Sequence, residues 1–323
     1  MLARLGHRLL AAFGVVLGVA MLTFLLLHLA PGDPIDLMLG PTATPEQRAV
    51  QRQAFGLDRP LPSQFATWIG NFTRGDWGQS ITKGQPVRAV LGDAWPATVR
   101  LVALSLLLSY LLGLAVGALQ AARSGSRTDT VLSVTSVTLF AVPGYWLGLM
   151  LVLVFTYWAR LLPAFGAAGF DADYLSGGGW VVDRLRHLAL PLTTLTLIGV
   201  GGVARFVRGA MLDTLSEPFI TTARAKGLTP RRVLMHHALR NALTPLVTLL
   251  GLSLPALFSG AVFIEAVFAW PGVGRVLVEA VQARDYPVVM AATAVSAVLV
   301  VAGNMLADLL AAWLDPRVRT RAT

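Results

Sequence analysis

The chain of 323 residues contains no cysteine. That single absence excludes a disulfide framework, a thiolate metal site and a cysteine nucleophile. Charge is scarce as well: Asp, Glu, Lys and Arg make up 13% of the chain, where a soluble protein carries about a quarter. No G-x-x-x-x-G-K-[ST] stretch occurs, and the dipeptide Gly-Lys is missing altogether, so the chain has no P-loop with which to hold ATP. H-E-x-x-H and G-x-S-x-G are missing too. The five histidines are scattered apart from His236-His237, and adjacent helical residues point about 100° apart, which makes that pair a poor metal clamp. Asp171, Asp173 and Asp183 are irregularly spaced and have no histidine among them, so a metal site is not expected there either. The expectation is a chain with no metal, no cofactor and no catalytic set of its own.

What the sequence has in abundance is apolar residues, 55% of the total, gathered in runs long enough to cross a bilayer. Six spans are expected, at about Leu9–Leu29, Ala97–Ala121, Val131–Trp158, Leu188–Val207, Ala242–Ile264 and Pro287–Trp313. The fold class is therefore an all-α polytopic membrane protein. Arg4 and Arg8 before the first run resemble the start of a signal peptide. The run is longer than a signal core, however, and His28-Leu29-Ala30 lacks the small-x-small cleavage pattern, so the first span is read as retained.

The excess of positive charge, +9 over the chain, orients these spans. With a cytoplasmic N-terminus, residues 1–8, 123–129, 205–240 and 314–323 lie inside and hold 14 Lys and Arg against 4 acids. The segments 31–96, 159–187 and 267–286 lie outside with 11 basic and 11 acidic residues. The bias fits the positive-inside rule, places both termini in the cytoplasm and removes nucleic acid as a partner.

The first outside segment is too long for a simple connection. Pro31-Gly32-Asp33-Pro34 ends the first span, Thr44-Pro45-Glu46 starts a helix over Gln47–Phe55, and Gly56 stops it. Phe65, Trp68, Ile69 and Phe72 recur at helical spacing along Leu61–Phe72, as in a helix lying at the outer interface, and Trp77 and Trp95 are expected as anchors at headgroup depth. A docking platform for an extracellular partner is the other reading of this segment. Gly113 and Gly117 form a small-xxx-small pair suited to close helix packing, and Pro143-Gly144 is set to kink the third span. Asn304 and Asp308 share one face of the sixth span, which should turn toward protein or water.

One polar stretch stands apart. Glu217–Asn241 lies between two apolar runs and carries Arg224, Lys226, Arg231, Arg232 and Arg240 against the single acid Glu217. Helix formers fill Phe219–Lys226, Gly227 stands where a helix would stop, and Thr229-Pro230 can begin another. A short helix, a glycine break and a second helix held at a membrane face suit docking onto another protein. A loop whose charge only fixes topology has the same composition.

The order of residues separates the two. Ala223–Leu228 reads ARAKGL and His237–Asn241 reads HALRN. Further stretches are GLDRPL at Gly56–Leu61, GDWGQS at Gly75–Ser80, EAVFAWPGVG at Glu265–Gly274, Arg284-Asp285-Tyr286-Pro287 and Asp315-Pro316-Arg317. In these the chain resembles the inner-membrane permeases of ABC importers, in the peptide and nickel branch, and most closely the B-type subunit. The resemblance implies a type I importer fold, with residues 1–95 as an N-terminal span plus extracytoplasmic segment, 96–313 as the permease core with a coupling loop at 214–240, and 314–323 as a cytoplasmic tail. It implies four kinds of partner: the bilayer, a second homologous permease, two ATPase subunits and an extracytoplasmic solute-binding protein. It makes Phe219–Gly227 a coupling helix, with Phe219 and Ile220 as apolar anchors, Arg224 and Lys226 pairing at the rim, Glu217, Thr221, Ala223 and Ala225 within the same loop, and Gly227 as the turn. Trp270, Pro271, Gly272 and Gly274 would help form the outer entrance. The solute that the resemblance implies is a dipeptide or oligopeptide, with nickel chelate or glutathione as the alternative. An independent channel or secondary transporter remains the other class, although paired broken helices and matched intramembrane acids are not seen in the sequence.

Overall fold

The computed structural model describes residues 2–29, 35, 39–40, 42–54, 56–253 and 261–314. Helices in chain order are α1 (Leu2–Leu29), α2 (Pro45–Ala54), α3 (Leu61–Thr73), α4 (Val87–Ala122), α5 (Arg127–Ala141), α6 (Gly144–Val152), α7 (Gly178–Leu215), α8 (Pro218–Ala225), α9 (Arg240–Ser253), α10 (Val262–Val267), α11 (Val273–Gln282) and α12 (Tyr286–Leu314). Wide π-type turns continue α6 over Leu153–Trp158 and precede α9 over Val233–Leu239. No strand is present among the described residues. By length and composition four of these helices can cross a membrane, or five when α5 and α6 count as one broken span. Of the expected fifth span, α9 supplies the start, and residues 254–260 lie outside the described residues, as do the expected break at Pro31–Pro34 and the Asp315-Pro316-Arg317 ending.

Contacts divide the chain into two units, Met1–Thr98 with Pro271–Val301, and Val99–Trp270 with Ala302–Thr323. In the first, α2 opens with a capping box: Thr44 Oγ1 accepts from Gln47 N–H (3.3 Å), while Gln47 Oε1 accepts from Thr44 N–H (2.9 Å). Along α3, the side chains at i, i+3 and i+7 stack as a ladder. Phe65 meets Trp68 at 6.2 Å between ring centroids, Trp68 meets Phe72 at 5.1 Å, and Phe72 meets Trp77 at 5.6 Å. Phe24 of α1 joins this ladder at 5.3 Å from Phe65. The apolar core of the unit is built from Val87, Leu91, Val276, Val288 and Ala291, and Trp77 and Trp95 pack against it. Both are half-buried, a packing contact that the sequence did not indicate.

The same unit contains a buried polar clasp. Asp285, fully buried just before α12, accepts from Ser80 Oγ (2.5 Å), Thr82 N–H (3.0 Å) and Thr82 Oγ1 (2.8 Å). The turn it holds is closed by hydrogen bonds from Ser80 N–H to Gln85 O (2.9 Å) and from Val87 N–H to Gly78 O (3.0 Å). Two stretches some 205 residues apart are thereby joined at one carboxylate.

The second unit is arranged around α7, which at 38 residues is about 57 Å long and exceeds a hydrocarbon core of about 30 Å. The sequence shows only its apolar middle, Leu188–Val207, because polar and glycine-rich turns at both ends hide the rest of the helix. Gly113 and Gly117 lie where α4 meets α7: a methyl group at Gly113 would stand 2.6 Å from Val203, and one at Gly117 would stand 2.6 Å from the Ala204 carbonyl. The small-xxx-small pair therefore sets a close backbone approach. At Pro143 the third span does more than kink. α5 and α6 are bent by 103°, and Val142 takes the extended conformation (φ −70°, ψ 132°) that a following proline imposes. The expected span Val131–Trp158 is therefore two differently directed helices.

Candidate functional site

The basic stretch after α7 folds into a closed corner. Ser216 caps α7 by donating N–H to Leu212 O (3.2 Å) and Oγ–H to Asp213 O (2.7 Å). Glu217 then takes an extended conformation, and Pro218 opens α8 at a position where a missing N–H costs nothing. At the other end Gly227 N–H donates to Arg224 O (2.9 Å) and Leu228 N–H donates to Ala223 O (3.3 Å), a Schellman closure. Gly227 sits at φ +79°, in the left-handed region where other residues are strained. Thr229 and Pro230 begin the next helical stretch, as the sequence indicated.

Packing sorts the residues of α8 into two edges. Ile220 (1% exposed) and Ala223 (6%) are buried against Val233, with Leu215 and Leu228 closing the cluster. Glu217, Phe219, Thr221, Arg224, Ala225, Lys226 and Gly227 are exposed, and Phe219 keeps 44% of its surface free. Ile220 is therefore corrected from a docking anchor to the hinge pin that fixes α8 to its own chain; at helical spacing Phe219 and Ile220 cannot share one face. Ala223 likewise belongs to the inner edge. Arg224, Lys226, Arg231, Arg232 and Arg240 are all exposed and make no ion pair among the described residues.

Two further contacts hold the corner in place, and neither is legible in the sequence. Val207 and Met211 of α7 form one core with Ala238 and Ala242, which fixes the helix following the corner against the helix preceding it. Asp129, at the start of α5, receives a two-pronged contact from Arg208 of α7, Nε to Oδ1 at 2.8 Å and Nη2 to Oδ2 at 2.9 Å. The same carboxylate accepts from Gly125 N–H (3.0 Å) and Ser133 Oγ (3.2 Å), so its acceptor sites are filled.

The other expected positions are placed as follows. Trp270, Gly272 and Gly274 are buried and Pro271 is exposed; Gly272 caps α11, whose first N–H, of Val273, donates to Thr98 Oγ1 (2.9 Å). Asn304 is exposed on α12, and the side chain of Asp308 lies outside the described residues. Asp183 holds Gly169 N–H at 3.0 Å and has His187 beside it at 3.3 Å.

Comparison with known proteins gives this corner a setting. Residues 109–320 match the family of binding-protein-dependent transport system inner membrane components, and residues 1–102 match the N-terminal region of such membrane components. The chain belongs to that family. The permease is 38% identical to the oligopeptide transport system permease protein AppB of Bacillus subtilis, over 98% of this chain and 99% of that one. It is 40% identical to the probable D,D-dipeptide transport system permease protein DdpB of Escherichia coli, over 94% of each. With the dipeptide transport system permease protein DppB of Escherichia coli the identity is 35%, again over 94% of each. Membership makes the permease a transport component of a membrane, not an enzyme.

Proposed function

We propose that the permease is the membrane-spanning subunit of an ATP-driven importer that takes short peptides from an extracytoplasmic binding protein into the cytoplasm. The observation that carries the coupling part is the two-edged α8. Its inner edge is fixed to the permease by Ile220, Ala223 and Val233, and its outer edge offers one free aromatic ring with free cations at its rim. An apolar anchor ringed by charge is the composition of a protein contact. The cap at Gly227 makes α8 a rigid lever, so that a push on Phe219 is delivered to α7 through the shared core. The partners in this reading are a second homologous permease, two ATPase subunits seated on α8 and its counterpart, and the binding protein on the opposite face, with both termini of the permease in the cytoplasm. Peptide as the solute is supported by the names of the relatives, which transport oligopeptides, dipeptides and D,D-dipeptides.

Because the chain lacks cysteine, a single cysteine at Phe219 gives an unambiguous probe. In membranes containing the whole complex, Phe219→Cys is expected to cross-link to a Walker-motif ATPase, and the purified complex to hydrolyse ATP faster when peptide-loaded binding protein is added. A permease that purifies without an ATPase and still conducts solute in liposomes would establish the channel reading instead.

A further inference from the structure

A cavity of about 390 Å³ opens in the first unit, where the end of α1, the side of α3, the turn after α3 and the start of α12 meet. Its size falls in the range of about 300–1,000 Å³ typical of small-ligand sites. Three of the stretches that carry the family resemblance converge on it: GLDRPL through Arg59, GDWGQS through Asp76 and Trp77, and the Arg-Asp-Tyr-Pro turn through Tyr286. They lie far apart in sequence; the Ser80–Asp285 clasp joins the second and third, and Arg59 of the first lines the same cleft.

The walls differ in character. Leu27 of α1 and Met290 of α12, both inside spans, line it on the apolar side. Arg59 and Asp76 bring charges of opposite sign, and neither makes an ion pair among the described residues. The Asp76 carboxylate holds only a backbone group, accepting from Gly78 N–H at 3.0 Å. The Nε1–H of Trp68, another wall residue, is out of solvent with no acceptor among the described residues, a state that disfavours an empty cavity. The backbone at Arg59 is held to the wall, although its side chain is exposed: Gln64 Nε2 donates to the Arg59 carbonyl (2.8 Å), and Gln64 Oε1 meets His28 Nε2 at 3.2 Å.

The location decides between ligands. His28 is next to the last residue of α1 and Tyr286 is the first of α12, and their rings stand 6.1 Å apart. One span ends and another begins at this cavity, which sets it at the boundary between hydrocarbon and headgroups whichever face that is. We propose that the cavity binds the headgroup of a zwitterionic aminophospholipid. The phosphate is held by Arg59 and the Trp68 N–H, the ammonium by Asp76, and the first methylenes of the acyl chains rest on Leu27 and Met290. This rests on the assignment of α1 and α12 as spans and not on the identity of the solute. The consequence is a subunit whose first span and extramembrane helices are joined through a lipid.

The test uses the whole complex, exchanged into nanodiscs with equal parts phosphatidylethanolamine, phosphatidylglycerol and phosphatidylcholine, then released and weighed by native mass spectrometry. Wild type is expected to retain one phosphatidylethanolamine per permease, enriched several-fold over phosphatidylglycerol. Asp76→Asn keeps an oxygen for Gly78 N–H but removes the charge, and is expected to abolish the preference for phosphatidylethanolamine over phosphatidylglycerol. Arg59→Gln leaves the backbone carbonyl for Gln64 and is expected to lower total lipid retention about tenfold, the loss of one charge-assisted contact. Peptide-stimulated ATP hydrolysis by the same particles reports separately on the importer reading. Retention of no lipid, of a peptide in place of lipid, or of the same lipid mixture in wild type and both variants would overturn the inference while leaving that reading intact.

Discussion

Asp285 and the exposed edge of α8 are opposite solutions to placing charge in a chain that has little of it. Asp285 is fully buried and its carboxylate is surrounded by donors from Ser80, Thr82 and the start of α12. Arg224, Lys226, Arg231 and Arg232 are exposed and have no acid beside them among the described residues. A buried charge must be satisfied within the chain, because an unpaired one costs several kcal/mol. An exposed charge can wait for a partner at little cost. The contrast separates groups that build the permease from groups left free for the contact proposed above, and each side of it is open to mutation.

Asp285→Ala should give the largest effect. It leaves two hydroxyls and the Thr82 N–H facing a cavity without their acceptor, for a loss on the order of 4 kcal/mol. The expected outcome is little folded permease in the membrane, read by thermal denaturation of the fluorescent-tagged chain in mild detergent. Arg208→Ala is next. It strands the Asp129 carboxylate, 5% exposed, for a loss of about 3 kcal/mol, and the double change with Asp129→Asn should recover part of that in the same melting assay. Gly117→Val forces a side chain against the Ala204 carbonyl and should cost about 2 kcal/mol, with Gly14→Val as control because nothing lies within 4 Å of it. If all three melted like wild type, the distinction between building and addressing groups would collapse.

Gly227→Val shifts attention to the corner. The left-handed φ of +79° costs a β-branched residue roughly 1–2 kcal/mol, and the open space around it removes any steric contribution. Insertion should be unchanged and melting lowered by no more than that strain, while peptide-stimulated ATP hydrolysis and uptake come apart. Unchanged uptake would show that the capped geometry of α8 is not used in coupling.

The sequence revealed local punctuation well and long-range pairing poorly. Thr44, Gly56, Gly227 and Thr229-Pro230 act on neighbours within four residues, so their caps and turns were legible from residue type alone. The glycine pair at 113 and 117 announced close packing but not its partner, since any helix with a matching surface would serve. The pairing of Asp129 with Arg208 and of Asp285 with Ser80 spans 79 and 205 residues, and no periodicity links such positions. The 103° bend at Pro143 was marked by the proline, but its size was not, because sequence shows where a backbone donor is lost and not how far the chain turns. For the candidate site, the short helix, its glycine stop and the restart at Thr229-Pro230 were legible, and the division of α8 into inner and outer edges was not. That division depends on how the following helix folds back through Val233.

The smallest expected effect on the fold is also the one that decides what α8 is for. Phe219 and Ile220 are adjacent apolar residues that substitution scales treat alike, yet one keeps 44% of its surface and the other 1%. Ile220→Ala removes a side chain from a closed cluster with Ala223, Val233 and Leu228, and should cost about 2–4 kcal/mol of stability. Phe219→Ala removes a ring that the permease itself barely uses, and should move the melting temperature by no more than an exposed substitution does, within about 0.5 kcal/mol. If Phe219 is the anchor for an ATPase, its loss should weaken that association by about tenfold or more, as removal of a central aromatic does at other interfaces. The measurement is the amount of ATPase retained per permease after a graded detergent wash. A Phe219→Ala permease that keeps its ATPase as firmly as wild type would mean that the free cations of the corner carry the contact, and raising the salt in the same wash would then strip it.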